Sequence, residues 1–194
     1  MTVTAIVLAA GQGSRFRAET GQDKLLAPCT GLDGVTRPVI EQVLVNLSAC
    51  VVDRWVVTAP ERTEVIRLAE AYGCKVVLLQ SAGMGDSIAA AVAASASAEG
   101  WLVVLGDMPF IQPSSIERVV GALVEGGISV PVQAGEYGHP VAFAREFGPA
   151  LMALTGDRGA KPLFARASVH EVQVSDPGVL WDVDLPQLLD FKPL

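Results

Sequence analysis

The sequence predicts an α/β fold: a doubly wound, mostly parallel sheet with a small β-hairpin in its second half, built as one domain over residues 1–194. Three observations predict it. Short β-branched runs alternate with longer Ala/Leu-rich segments, as in strands that are buried on both faces and separated by helices. The first such run ends in a glycine-rich loop, the usual start of a ligand-binding βα unit. With 194 residues, 51% of them hydrophobic, the chain can bury one substantial core but is short for two ordinary domains.

Taken in order, Thr4–Ala9, Arg54–Thr58, Lys75–Leu79, Trp101–Leu105 and Ile128–Val132 read as strands. Pro38–Ala49, Glu61–Tyr72, Asp86–Ala98 and Pro113–Gly126 between them carry helical spacing. Asp86 or Ser87 is a candidate cap for the third helix, and Ser114 or Ser115 for the fourth. Right-handed crossovers would then place ligands outside the carboxyl ends of the strands. The second half departs from the repeat. Gln133–Ala144 reads as a hairpin around Gly135-Glu136-Tyr137-Gly138, helices follow near Arg145–Leu154 and Lys161–Ala167, and a strand over Val169–Val174 and a short turn over Pro186–Asp190 finish the chain.

Composition excludes several classes. A net charge of −7 and a pI near 4.8 leave no basic excess for nucleic acid or anionic membranes. The mean hydropathy of +0.42 is high, yet no run approaches the ~18 apolar residues of a membrane span. The N-terminus has no basic leader region, so the expected location is the cytoplasm. Cys29, Cys50 and Cys74 are odd in number and far apart, which suggests neither a disulfide framework nor a zinc site.

The first strand runs into Ala10-Gly11-Gln12-Gly13-Ser14-Arg15, followed by a polar stretch through Glu19, Gly21 and Asp23 to Lys24. Two glycines let successive backbone N–H groups turn inward as an anion-holding nest. Arg15 adds a planar fork and Lys24 a point charge, so the group suits a triphosphate. A dinucleotide fingerprint would need Gly where Phe16 stands, and a P-loop would need Gly-Lys-Ser/Thr; both fail. Strand Trp101–Leu105 ends in Gly106-Asp107, which puts a carboxylate at the same sheet edge, where Mg²⁺ bound to phosphates would need it. In Trp181-Asp182-Val183-Asp184-Leu185-Pro186 the alternation puts Asp182 and Asp184 on one face. Asp184 then either completes the metal site or caps the turn that starts at Pro186.

Leu8-Ala9-Ala10-Gly11-Gln12-Gly13-Ser14-Arg15, with Lys24-Leu25-Leu26 after it, resembles the signature of the MobA-like NTP-transferase family. Three later stretches are similar to those of its molybdenum cofactor cytidylyltransferases (MocA-like): Gly83-Met84-Gly85-Asp86-Ser87, Gly138-His139-Pro140-Val141-Ala142-Phe143 and Gly156-Asp157-Arg158-Gly159-Ala160-Lys161. The resemblance implies a Rossmann-like, nucleotide-diphospho-sugar transferase-like fold and a transfer of CMP from CTP to a phosphorylated acceptor, the molybdenum cofactor's pterin. It implies nucleotide contacts from Leu8, Ala9, Ala10, Gly11, Gly13, Ser14, Arg15, Lys24, Ser81, Gly83, Met84, Ser87 and Asp107. Catalysis would rest on Arg15, Lys24 and Asp107, with Mg²⁺ or Mn²⁺ on Asp107 and Asp184. The acceptor would meet His139, Pro140, Asp157, Arg158 and Lys161. On residue chemistry alone, His139 is either a structural or a ligand-contacting histidine, and Arg158 and Lys161 either phosphate contacts or surface charges.

The preference for CTP follows, by resemblance, from Ala9-Ala10, whose two methyl groups would narrow the slot against a purine. Departures from the family pattern are Arg17, an extended Gly31–Thr36 stretch, Leu185 and Gln187. Two other readings share these residues: a sugar-phosphate or other small-molecule-phosphate nucleotidyltransferase, and a non-catalytic cofactor-binding chaperone for a molybdenum hydroxylase.

Overall fold

The structure is a computed structural model that describes residues 2–48, 50–51, 53–80 and 83–192. In chain order the elements are β1 (Val3–Leu8), α1 (Ser14–Thr20), β2 (Pro28–Thr30), β3 (Thr36–Pro38), α2 (Val39–Ser48), β4 (Arg54–Thr58), α3 (Thr63–Ala71), β5 (Lys75–Leu78), α4 (Met84–Ala94) and β6 (Gly100–Leu105). Then follow α5 (Pro113–Gly121), β7 (Gly127–Gln133), β8 (Glu136–Tyr137), β9 (Val141–Ala144), α6 (Gly148–Met152) and β10 (Ser168–Gln173). Short 3-10 turns cover Lys24–Leu26, Arg145–Phe147, Lys161–Arg166, Pro177–Leu180 and Pro186–Leu189.

The doubly wound, mostly parallel sheet expected from the sequence is present, in the order β10-β7-β9-β6-β1-β4-β5, with β8 paired to β7. Period-2 alternation divides β1 between two cores. Ala5 and Val7 point into the layer holding α2, α3 and α5, with Val39, Ile40, Leu44, Val65, Leu68 and Ile116. Ile6 points into the other layer, with Ile88, Ala91 and Val92 of α4 and Leu151 of α6. Each fully buried Val, Ile or Leu contributes roughly 1.5–3 kcal/mol relative to exposure, so β1 is fixed from both sides. It pairs in parallel with β4 on one side and β6 on the other, with Leu8 opposite Val57 and Leu105. Both the glycine-rich loop and Gly106-Asp107 therefore leave the sheet at one edge, where the strand order switches direction.

Several expectations need correction. The helix after β1 begins at once, at Ser14, instead of following a polar stretch: Gly13 takes a left-handed φ of 58°, which only glycine adopts at no steric cost, and its carbonyl accepts the first helical bond from Arg17 N–H at 3.0 Å. Residues 28–38, to which the pattern assigned no strand, form a separate two-stranded antiparallel sheet of β2 and β3, and Pro38, expected to open the first long helix, lies in β3. Buried Gln42 fastens this arm by donating to the Cys29 and Val35 carbonyls at 2.9 and 2.7 Å. The third helix starts at Met84 behind Gly83, so neither Asp86 nor Ser87 is its cap. The fourth starts at Pro113 behind Gln112 instead of a serine, since proline at the first position has no N–H to satisfy. Its end, at Gly121, comes earlier than expected. Ala49, the expected last residue of the first long helix, lies outside the described residues.

The hairpin is tighter than expected. Ala134 and Gly135, both at positive φ, reverse the chain between Gln133 and Glu136, as a two-residue turn requires. The chain then crosses over, and β9 inserts antiparallel between β6 and β7. The segment expected to be helical over Lys161–Ala167 is 3-10 turn over Lys161–Arg166. No helix among the described residues is long and apolar enough to cross a membrane.

Candidate active site

The two loops at the switch edge are tied together by their backbones. Gly106 N–H donates to the Leu8 carbonyl at 3.0 Å, and a Cβ at Gly106 would stand 2.8 Å from that oxygen, so the approach requires glycine. Farther along, Asp23 accepts from Leu25 N–H at 3.1 Å, which fixes the turn carrying Lys24. The Lys24 stem then runs over Gly13, whose missing side chain leaves it room: a Cβ there would meet Lys24 Cγ at 3.2 Å.

The Lys24 ammonium meets Asp107 Oδ2 at 2.6 Å and Asp184 Oδ1 at 2.9 Å. Arg15 reaches Asp184 Oδ2 at 3.3 Å from an exposed position. Asp184 arrives there because Val183 N–H donates to the Asp107 carbonyl at 2.9 Å and the Val183 side chain is fully buried. That anchor turns both flanking aspartates to the opposite face, and Asp107, Asp182 and Asp184 bring carboxylate oxygens within 4.8 Å of one another. The following turn starts behind Leu185, one residue after Asp184 and without a side-chain cap, so Asp184 is not its cap.

Burial opposes the charge on Lys24, but Asp107 and Asp184 outweigh it and raise its pKa. The hydrogen bond from Lys24 holds Asp184 below the usual carboxylate range despite partial burial. Asp182, by contrast, is pushed up by burial and by its two acidic neighbours. Three carboxylates facing one another with one close ammonium leave unneutralised negative charge. An all-oxygen donor set of that kind fits a hard divalent cation such as Mg²⁺ or Mn²⁺.

A cleft of about 470 Å³ opens beside this cluster, lined by Leu8, Ala10, Gly11, Gln12, Gly83, Met84, Ser87, Leu105, Asp107 and Asp157. Eight of the expected nucleotide and acceptor residues thus meet in one place. Ala9 does not: strand alternation turns its methyl into the core, so only Ala10 can narrow the slot. Ser14 is exposed on α1, and Ser81 lies outside the described residues. Beyond Met84 a second cavity of about 530 Å³ is lined by His139, Lys161, Tyr137, Phe143 and Phe164 among others. His139 Nδ1 is buried and has no hydrogen-bond partner among the described residues, and burial depresses the His139 pKa against the pull of Asp107 and the Val103 carbonyl. Pro140 is buried behind it, after a cis peptide bond. Arg158 is exposed and is not among the residues lining either cavity.

The partition between the two cavities is a backbone interlock. Gly85 N–H donates to the Gly156 carbonyl at 2.8 Å, and Gly156 N–H donates to Asp86 Oδ1 at 3.1 Å. A Cβ at Gly83 would lie 2.2 Å from the Gly156 carbonyl carbon, and one at Gly85 2.6 Å from the Arg158 oxygen. Asp86, expected as a helix cap, is instead a clamp on the 156–158 loop.

Two residues of this neighbourhood escaped the sequence reading of the site. Asp182 was legible from the alternation that singled out Asp184. Arg62 was not. Its guanidinium donates to the Ala9 carbonyl at 3.0 Å and to the Gly11 carbonyl, and its Nε stands 3.5 Å from Asp23. It thereby ties the glycine-rich loop to the residue that fixes the Lys24 turn, and faces an open cleft of about 770 Å³ with Gln12, Arg17 and Gln80. Partners that are mostly backbone carbonyls leave no pattern in the sequence.

Comparison with known proteins agrees with this geometry. The MobA-like NTP transferase domain matches residues 5–172. A bifunctional protein GlmU from Maricaulis maris is 34% identical over 148 residues, 73% of this chain and 30% of its own length; the chain thus spans about a third of such relatives. The structure of a nucleotidyl transferase from Methanothermobacter thermautotroptrophicus superposes with a TM-score of 0.79 at 28% identity, covering 96% of this chain and 93% of that one. Rv0371c from Mycobacterium tuberculosis, in a structure described as a complex with manganese, gives 0.71 at 25% identity, covering 90% and 89%. With its matched region spanning β1 to β10, the chain belongs to the MobA-like NTP transferase domain family.

Proposed function

We propose that residues 1–194 form one magnesium-dependent, cytoplasmic nucleotidyltransferase of the cytidylyl type, which moves CMP from CTP onto the phosphate of a molybdenum cofactor pterin and releases pyrophosphate. The observation that carries this reading is the pair of cavities meeting at Met84, one bordered by the glycine-rich loop and the acidic cluster, the other by aromatic rings.

Loop amides near Gly11 and Gly13, with Arg15 and Lys24, receive the triphosphate; Ala10, Gly83 and Ser87 border base and ribose. Asp107, Asp184 and Asp182 would hold Mg²⁺ or Mn²⁺, which neutralises charge on phosphate oxygens when bound. His139 and Lys161 face the acceptor, with Asp157 at the boundary and Arg158 outside it. A phosphate monoester has its second pKa near 6 and is largely a dianion at neutral pH, so it needs no general base. Its oxygen attacks the α-phosphorus, the bond to the β-phosphate oxygen breaks, and pyrophosphate carries the electron pair away. The residues' work is in-line positioning and charge compensation. Tyr137, Phe143 and Phe164 around the second cavity support a flat ring over a polyol, whose hydroxyls would lose hydrogen bonds there.

Pyrophosphate release, measured with four ribonucleoside triphosphates against molybdopterin and a panel of sugar phosphates, tests the reading. Turnover is expected with CTP and molybdopterin. Turnover only with a sugar phosphate, or strongest with GTP, overturns the acceptor or the base assignment respectively.

A further inference from the structure

We propose that Lys24 is a resident place-holder for the divalent cation of the Asp107, Asp182 and Asp184 cluster, so that metal uptake waits for a nucleoside triphosphate to draw the ammonium away. This rests on the metal reading above. The Lys24 ammonium is in contact with two of the three carboxylates, at 2.6 and 2.9 Å, and the residue is only 9% exposed. An ammonium and a divalent ion compete for the same oxygen lone pairs and repel each other. The ammonium thus already occupies oxygens of Asp107 and Asp184 that a metal would need, while the cluster keeps enough negative charge to attract one.

The release route is local. The Lys24 stem already lies against Gly13, where a Cβ would meet its Cγ at 3.2 Å and its Cδ at 3.3 Å. The lysine stem is flexible and its ammonium donates in any direction, so it can turn from the carboxylates to phosphates on the glycine-rich loop without backbone movement. If the ammonium blocks the cluster in about nine of ten molecules, apparent metal affinity falls about tenfold. Nucleotide then tightens metal binding, and metal tightens nucleotide binding by the same factor.

Mn²⁺ titration followed by electron paramagnetic resonance tests this on the full chain, without and with CTP. Lys24→Met is expected to bind Mn²⁺ alone about tenfold more tightly than the wild type, Lys24→Arg to stay near the wild type, and CTP to tighten Mn²⁺ far more in the wild type than in Lys24→Met. Equal Mn²⁺ affinities without nucleotide, with CTP acting equally on both, overturn the place-holder and leave the metal site standing. Failure of the wild type to take Mn²⁺ with any of four triphosphates removes the metal site itself, and this inference with it. A readout independent of the variants is the Lys24 ammonium resonance in ¹⁵N-lysine-labelled wild type. It should shift with Mg²⁺ and CTP together and not with Mg²⁺ alone; an unmoved resonance overturns the proposal.

Discussion

The two sides of the site are held together by different physics. Around the glycine-rich loop, side-chain charges add to the backbone tie from Gly106 to Leu8: Lys24, Asp107, Asp184 and Arg15 form one chain of contacts, and Arg62 pins the loop carbonyls from behind. At the partition between the cavities and beside the second, backbone meets backbone at Gly83, Gly85 and Gly138, whose missing Cβ atoms would stand within 2.6 Å of Gly156, Arg158 and Val179. A charge network can be rearranged by a ligand, because Lys24 and Asp184 at its centre each have two partners to choose between. A glycine interlock cannot, since it has a single geometry. The difference suits a site in which ionic partners exchange on one side while a fixed wall shapes the other.

The sharpest way to break this contrast is to remove one charge. Asp107→Ala is expected to lower kcat by about 10³-fold while the melting temperature falls by only a few degrees; unchanged turnover at limiting Mg²⁺ would remove Asp107 from the site. On the interlocked side the expectation is reversed. Gly83→Ala should destabilise the fold by about 3 kcal/mol, as overpacking against backbone does, measured by denaturant unfolding. Gly11→Ala is the control, since among the described residues a Cβ there meets nothing within 4 Å. Equal stability of the two variants would contradict the interlock.

Arg62→Ala should act on the loop without touching phosphate, raising KM for the nucleotide about tenfold, equivalent to roughly 1.4 kcal/mol, with a smaller change in kcat. A fall in kcat alone would instead put Arg62 in the transition state. The smallest effect concerns His139. Burial lowers its folded pKa below the ordinary 6.5, so below about pH 6.5 the unfolded chain binds a proton that the folded chain refuses. Stability is therefore full above pH 6.5 and declines as pH falls through the folded value. His139→Asn should flatten the melting-temperature profile between pH 7 and 5, and an unaltered slope would count against a buried neutral ring.

Local pattern marked the parallel strands well, because β1, β4 and β6 carry β-branched runs buried on both faces. It failed where structure depends on distant partners. The β2–β3 arm has strands of three residues with a proline in each, too short to show alternation, and is fastened by Gln42 from the following helix. Asp86 looked like a helix cap because capping is the commonest local use of aspartate; its actual partner, Gly156 N–H, lies 70 residues away. Ala9 and Ala10 looked equivalent as neighbours in one motif, yet the pleat sends the first into the core and leaves the second on the cleft.

By itself the sequence determined the parallel α/β order, the glycine-rich turn after β1 and a carboxylate after β6, since each follows from residue type and short-range periodicity. Only the tertiary structure decided that Lys24 sits between Asp107 and Asp184, that Asp182 joins them, and that Arg62 braces the loop. Those contacts join residues 39 to 160 positions apart, and which distant charges meet is fixed by strand order and packing, not by any preference a local stretch of chain carries.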